Sequence, residues 1–104
     1  MAQFDVYTNP NPDTNQAVPY LLDVQSDLLE PLATRVVVPL VRHVVMPRPA
    51  RYLNPVFEVR GERVVMSTPE LAGVPIQALG EKVDALPEQR DAIMRALDFL
   101  ISGV

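Results

Sequence analysis

Few residues in this chain have types and spacing suited to chemistry. His43 is the only histidine and there is no cysteine. Thiol catalysis, disulfides and cysteine-based zinc sites are therefore excluded, and a His-rich metal site cannot be built. A Ser–His pair would need His43 beside Ser26, Ser67 or Ser102, and no local motif surrounds any of them. His43 lies in an apolar stretch and reads by default as a structural or surface residue. Asp23 and Asp27 form a carboxylate pair that a strand turn explains equally well. The four glycines, Gly61, Gly73, Gly80 and Gly103, are scattered, so no phosphate-cradling loop is present. On these residues the chain reads as a binding module and not an enzyme, with no catalytic residue, no metal and no cofactor.

The elements that would carry a binding surface are short. A length of 104 residues fits one domain, 1–104, and 48% hydrophobic residues suffice for a core. Net charge is -4, which argues against direct nucleic-acid binding. No apolar run is long enough to span a membrane, and the N-terminus lacks signal-peptide features, so a soluble cytoplasmic protein is expected. Eleven prolines punctuate the apolar runs and forbid long elements before the last segment. Strands are expected at 4–8, 20–24, 35–38, 42–46, 56–59 and 63–66. Val74-Pro75-Ile76 is at most a short edge strand. Arg35–Val38 reads as buried on both faces. Arg60-Gly61-Glu62 reads as a hairpin turn with glycine supplying positive φ. This spacing predicts a small barrel or strongly bent sheet over 1–80.

The segment 87–102 is different. It has no internal proline or glycine after Pro87, and Glu88 and Asp91 suit the start of a helix. Ile93, Leu97, Leu100 and Val104 follow core-facing spacing. Met94, Phe99 and Ile101 add apolar surface elsewhere, interrupted by Asp98 and Ser102. Such a helix either tucks into a groove of its own domain or, having more apolar surface than a small barrel can cover, offers Leu100 and Ile101 as a dimer or partner surface.

Several blocks, in order, resemble the CcdB family of toxins from CcdA–CcdB toxin–antitoxin modules. They are Gln3-Phe4 with Val6-Tyr7-Thr8, Asp23-Val24-Gln25-Ser26-Asp27-Leu28-Leu29, Val38-Pro39-Leu40, Leu53-Asn54-Pro55-Val56, Ala72-Gly73-Val74-Pro75 with Gly80-Glu81, and the C-terminal Phe99–Val104. The resemblance implies a mainly β fold, an SH3-like barrel with a C-terminal helix, assembled as a homodimer. It implies a non-enzymatic toxin that binds the DNA gyrase A subunit and traps the gyrase–DNA cleavage complex. It also implies a CcdA-like antitoxin with which the toxin acts as operon co-repressor.

Carried over position by position, the resemblance places gyrase binding on Leu28, Leu29, Gly103 and Val104. Two positions depart from the family: Ser102 stands where a tryptophan is expected, and Asp98 stands for asparagine. A tryptophan buries 150–250 Å² and its loss commonly costs about 2 kcal/mol, roughly thirtyfold in affinity. The alternatives are a gyrase-inactive homologue that keeps antitoxin binding and operon regulation, or a ribonuclease toxin of the MazF/Kid type on the same barrel. The ribonuclease reading would draw charge from Arg35, Arg42, Arg48 and Arg51, and a proton acceptor from Asp27 or His43. The net negative charge and the Asp-Val-Gln-Ser-Asp block point away from it.

Overall fold

Alternation of apolar and polar residues shapes the sheet, and one long strand organises it. The computed structural model describes residues 1–103. Its strands are β1 (Asp5–Thr8), β2 (Tyr20–Asp23), β3 (Thr34–Arg42), β4 (Val56–Val59), β5 (Glu62–Met66), β6 (Ala72–Pro75) and β7 (Lys82–Ala85), followed by helix α1 (Arg90–Ser102). The strand order is β4-β5-β3-β2-β1-β7, with β6 also on β3, and every pairing is antiparallel. The sheet curls into a half-barrel, as the mainly β reading required.

β3 corrects the expectation that proline would keep every element before the helix short. It runs nine residues through Pro39. On one side Val37–Leu40 pair with β2. On the other, Thr34–Val37 pair with β6 and Leu40–Arg42 with β5, leaving residues 38 and 39 at the seam between the two partners. The Pro39 carbonyl accepts the Ser67 N–H there at 2.9 Å. A strand residue's N and C=O point the same way, so the missing N–H of Pro39 falls where no partner strand needs it.

The expected strand at 42–46 is not formed. Val45 and Met46 N–H groups both donate to the Arg42 carbonyl, making a turn that leaves Val44 and Val45 exposed. Conversely β7 was not anticipated, although Lys82-Val83-Asp84-Ala85 alternates in polarity. The hairpin at 60–61 forms as expected, but Arg60 as well as Gly61 has positive φ, at 52° and 80°. A two-residue hairpin needs both, and an L-residue there is strained by about 1–2 kcal/mol.

One face of the sheet packs Val6, Leu22, Val24, Val38, Leu40, Phe57, Val59, Val64 and Met66 against Leu86, Ile93 and Ala96. Each fully buried aliphatic side chain contributes about 1.5–3 kcal/mol relative to exposure. Pro87–Gln89 form a 3-10 turn that leads into α1, so the α-helix proper starts at Arg90 and not at Pro87. The expected core stripe is corrected in the same way. Ile93 and Ala96 are buried, Leu97 and Leu100 are half-buried, and Val104 lies outside the described residues.

The opposite face of β1–β3 buries Val37 and Val41 together with a polar cluster. Arg35 and Asp23 are both fully buried. The Arg35 Nε–H donates to Asp23 Oδ2 at 2.9 Å, and Nη2 lies 2.7 Å from the same oxygen. Arg35 Nη1 has no hydrogen-bond partner among the described residues. Burial pushes the Asp23 carboxyl up, while Arg35 and the Gln25 N–H pull it back. Beside them, the Tyr7 hydroxyl donates to Asp5 Oδ2 at 3.3 Å, and Asp5 Oδ1 meets Lys82 Nζ at 3.3 Å.

Two outcomes follow from this cluster. Removing one member of a buried ion pair strands the other charge, at about 3–5 kcal/mol, whereas removing both is far milder. In urea unfolding, Asp23→Leu is therefore strongly destabilised, and Asp23→Leu combined with Arg35→Met regains most of the loss. Tyr7 supplies a pH dependence. Burial, then the Asp5 and Asp23 charges, raise its phenol from 10.0 to about 12. The folded chain holds this proton more tightly than the unfolded chain does. Its contribution is thus complete below pH 10 and is lost as pH rises from 10 to about 12. In that window the wild type loses on the order of 2 kcal/mol more than Tyr7→Phe does.

Candidate partner-binding site

The Asp23–Leu29 segment leaves β2 at the buried ion pair and ends on the surface. Asp23 Oδ1 accepts the Gln25 N–H at 3.0 Å. The Gln25 side chain is buried. Its Oε1 accepts the Val36 N–H of β3 at 2.9 Å, and its Nε2 donates to the Leu29 carbonyl at 3.1 Å. Ser26 caps the next turn, its Oγ accepting the Leu28 N–H at 3.2 Å. Asp27 Oδ1 accepts the Gln3 N–H at 2.7 Å, and Gln3 Nε2 donates to the Val24 carbonyl at 3.1 Å. All four polar side chains of Asp-Val-Gln-Ser-Asp thus hold backbone in place.

What they hold is a 3-10 turn, Asp27–Leu29, with no buried residue. Leu28 is 91% exposed and Leu29 48%. Adjacent leucines after a strand also have a core reading, and the structure rules that out here. The fixed backbone presents both leucines to solvent, and taking Leu28 wholly out of water would contribute about 1.5–3 kcal/mol, Leu29 about half as much. Leu32, 49% exposed, extends the patch; sequence reasoning missed it because nothing local marks it.

Gln3 was also missed as a positioning residue. Besides Asp27 and Val24 it meets Arg90, whose Nη1 donates to Gln3 Oε1 at 3.4 Å. Its neighbour Phe4 is buried with φ 73°, a conformation rare for an aromatic residue. The Phe4 N–H donates to the Asp23 carbonyl at 2.6 Å, and the Phe4 carbonyl accepts the Leu86 N–H at 2.9 Å. Those two bonds fasten the N-terminus between the Asp23 segment and the approach to α1. These partners are distant in sequence, so no spacing rule reveals them.

The second expected cluster lies at the other end of α1. From Arg90 to Ser102 the helix rises about 18 Å, and no hydrogen bond or ion pair among the described residues joins its last turn to Leu28 or Leu29. Asp98, Ser102 and Gly103 are exposed, Ile101 is 79% exposed and Leu100 is half-buried. The Ser102 hydroxyl donates to the Asp98 carbonyl at 2.8 Å. Gly103 takes φ 75° and its N–H donates to the Phe99 carbonyl, ending the helix. Val104 lies outside the described residues.

The ribonuclease set named from sequence is not assembled as expected. Arg35 is sealed inside the ion pair and cannot meet a substrate, and Asp27 holds Gln3. Arg42 pairs with Glu62, both half-exposed. Among the described residues no group of three histidines, cysteines or carboxylates is placed to hold a metal ion, and no helix is long and apolar enough to cross a membrane.

Among solved structures, the fold is similar to an endoribonuclease in complex with its cognate antitoxin, from a mycobacterial species. The TM-score is 0.73 at 15% identity, over 97% of this chain and 94% of that one. At that identity the likeness is one of fold. It corrects the reading that this chain is no enzyme: that reading rested on the lack of a recognisable catalytic motif, and an RNA-cleaving protein has the same architecture over nearly its whole length. Residues 3–103 match the family described as CcdB protein. A match over almost every residue, bearing the Asp-Val-Gln-Ser-Asp device within it, places the chain: it belongs to the CcdB family of toxins.

Proposed function

We propose that this toxin binds the A subunit of DNA gyrase through the Leu28–Leu29 turn and traps the gyrase–DNA cleavage complex. The observation that supports it is the 91% exposure of Leu28 on a backbone clamped from four sides. Preorganisation of this kind lowers the ordering cost of binding. In this reading the exposed helix end, Ile101 with Gly103, joins the leucines across a homodimer. A CcdA-like antitoxin covers the same apolar surface and acts with the toxin as operon co-repressor in the cytoplasm.

Ser102 sets the strength of the gyrase contact. A serine buries far less area than the tryptophan expected there, and Asp98 puts a charge one turn away. The leucines then carry most of the binding energy. The test is plasmid cleavage by gyrase from the same source with ATP, scored as linear DNA after detergent and protease. Wild type yields linear product, Leu28→Glu yields little, and Ser102→Trp yields more at lower concentration, by roughly thirtyfold. Leu28→Glu keeps its melting temperature, since Leu28 packs against nothing. Absence of product from both wild type and Ser102→Trp would overturn the gyrase reading.

A further inference from the structure

The charge of this chain is segregated. Between 42 and 63 there are five arginines, Arg42, Arg48, Arg51, Arg60 and Arg63, against two glutamates; the other residues carry four cations against eleven carboxylates. The acidic total therefore hides one basic segment, and the net charge is a poor guide to what that segment meets.

The segment folds around an open cleft of about 570 Å³, lined by Arg42, His43, Val44, Gly61, Glu62 and Arg63. The wall is braced. The Arg42 N–H donates to the Ala17 carbonyl at 2.9 Å, its Nε–H donates to the Gln16 carbonyl at 2.6 Å, and its Nη1 meets Glu62. The His43 N–H donates to the Arg63 carbonyl at 3.1 Å, closing the cleft against β5. Glu62 offsets only Arg42. Among the described residues neither Arg60 nor Arg63 has an ion pair within 4.0 Å, although Glu58 stands opposite Arg63 in the strand register. Arg60 stands beside the cleft without lining it. It occupies the strained left-handed position of the hairpin, next to cleft-lining Gly61, where asparagine, aspartate or glycine is favoured.

We propose that this cleft binds the phosphates of a single nucleic-acid strand. Arg42 and Arg63 line the cleft and Arg60 stands next to it; the planar fork of arginine suits phosphate oxygens. Val44 is the one apolar side chain in the lining, so the cleft lacks the anchors a folding peptide uses, while Arg63 in the lining and Arg60 beside it have no ion pair among the described residues and are available to phosphates. The inference is independent of gyrase binding, which uses other residues.

The test is fluorescence polarisation of a labelled 12-nucleotide single strand with the full chain, from 50 to 200 mM salt. The expected result is binding whose logarithm falls with log salt by about 0.7 per phosphate held. Arg60→Gly and Arg63→Ser each weaken binding roughly fivefold at 50 mM salt and lower that slope by about 0.7. Arg60→Gly does so without a fall in melting temperature, because glycine relieves the turn. Lys82→Ser, at the far edge of the sheet, leaves binding unchanged. Absence of binding at 50 mM salt, or binding indifferent to both arginine variants, would sink the proposal. A poly-glutamate peptide of equal charge that competes as well as the oligonucleotide would reassign the cleft to acidic protein segments.

Discussion

The Asp23–Arg35 ion pair is the constraint on which the rest is hung. Both groups are sealed from water, and neither can be satisfied elsewhere, so β2 and β3 have a single workable register. A one-residue slip would expose the pair's partners to the apolar face and bury the wrong side chains. The pair also anchors the outward path of the chain. The second oxygen of Asp23 fixes Gln25, Gln25 reaches β3 and Leu29, and the turn bearing Leu28 is thereby tied to the middle of the sheet. A buried ion pair is weak evidence for stability, because desolvation offsets much of the Coulombic gain. What this pair helps to fix is the leucine turn.

The same logic accounts for what the sequence disclosed and what it concealed. The hairpin at 60–61, the strands flanking it, β1, β2 and the terminal helix were legible because turn chemistry and periodicity are local. β3 was misjudged because a proline is forbidden only where its N–H is needed, and the need at Pro39 depends on β5 and β6 changing over beside it. The Val44–Met46 stretch has strand composition but makes a turn after Arg42, since β3 has run out of partner strands there.

At the candidate site, the Asp-Val-Gln-Ser-Asp block was legible as distinctive and Leu28 and Leu29 as its cargo. The working of the block was not legible, because each of its hydrogen bonds is settled by a partner such as Val36 or Gln3 that only the fold brings near. Arg35 shows the reverse error. As a letter it is a free cation, and in the structure it is the least available one. The absence of a catalytic motif proved an equally unsafe guide, given that a protein of the same architecture is an endoribonuclease.

β1 lies between β2 and β7, and its pairing with β7 joins Asp5 to Ala85, 80 positions further on. During synthesis the first strand therefore waits for one of the last. At 5–20 residues per second the delay is on the order of several seconds. Pairing of this separation is slow to nucleate in any case. Gln3 also waits, since Arg90, which it meets, follows β7 in the chain. The leucine turn thus acquires its last support when almost the whole chain has been made, and a nascent or truncated chain does not carry the finished surface.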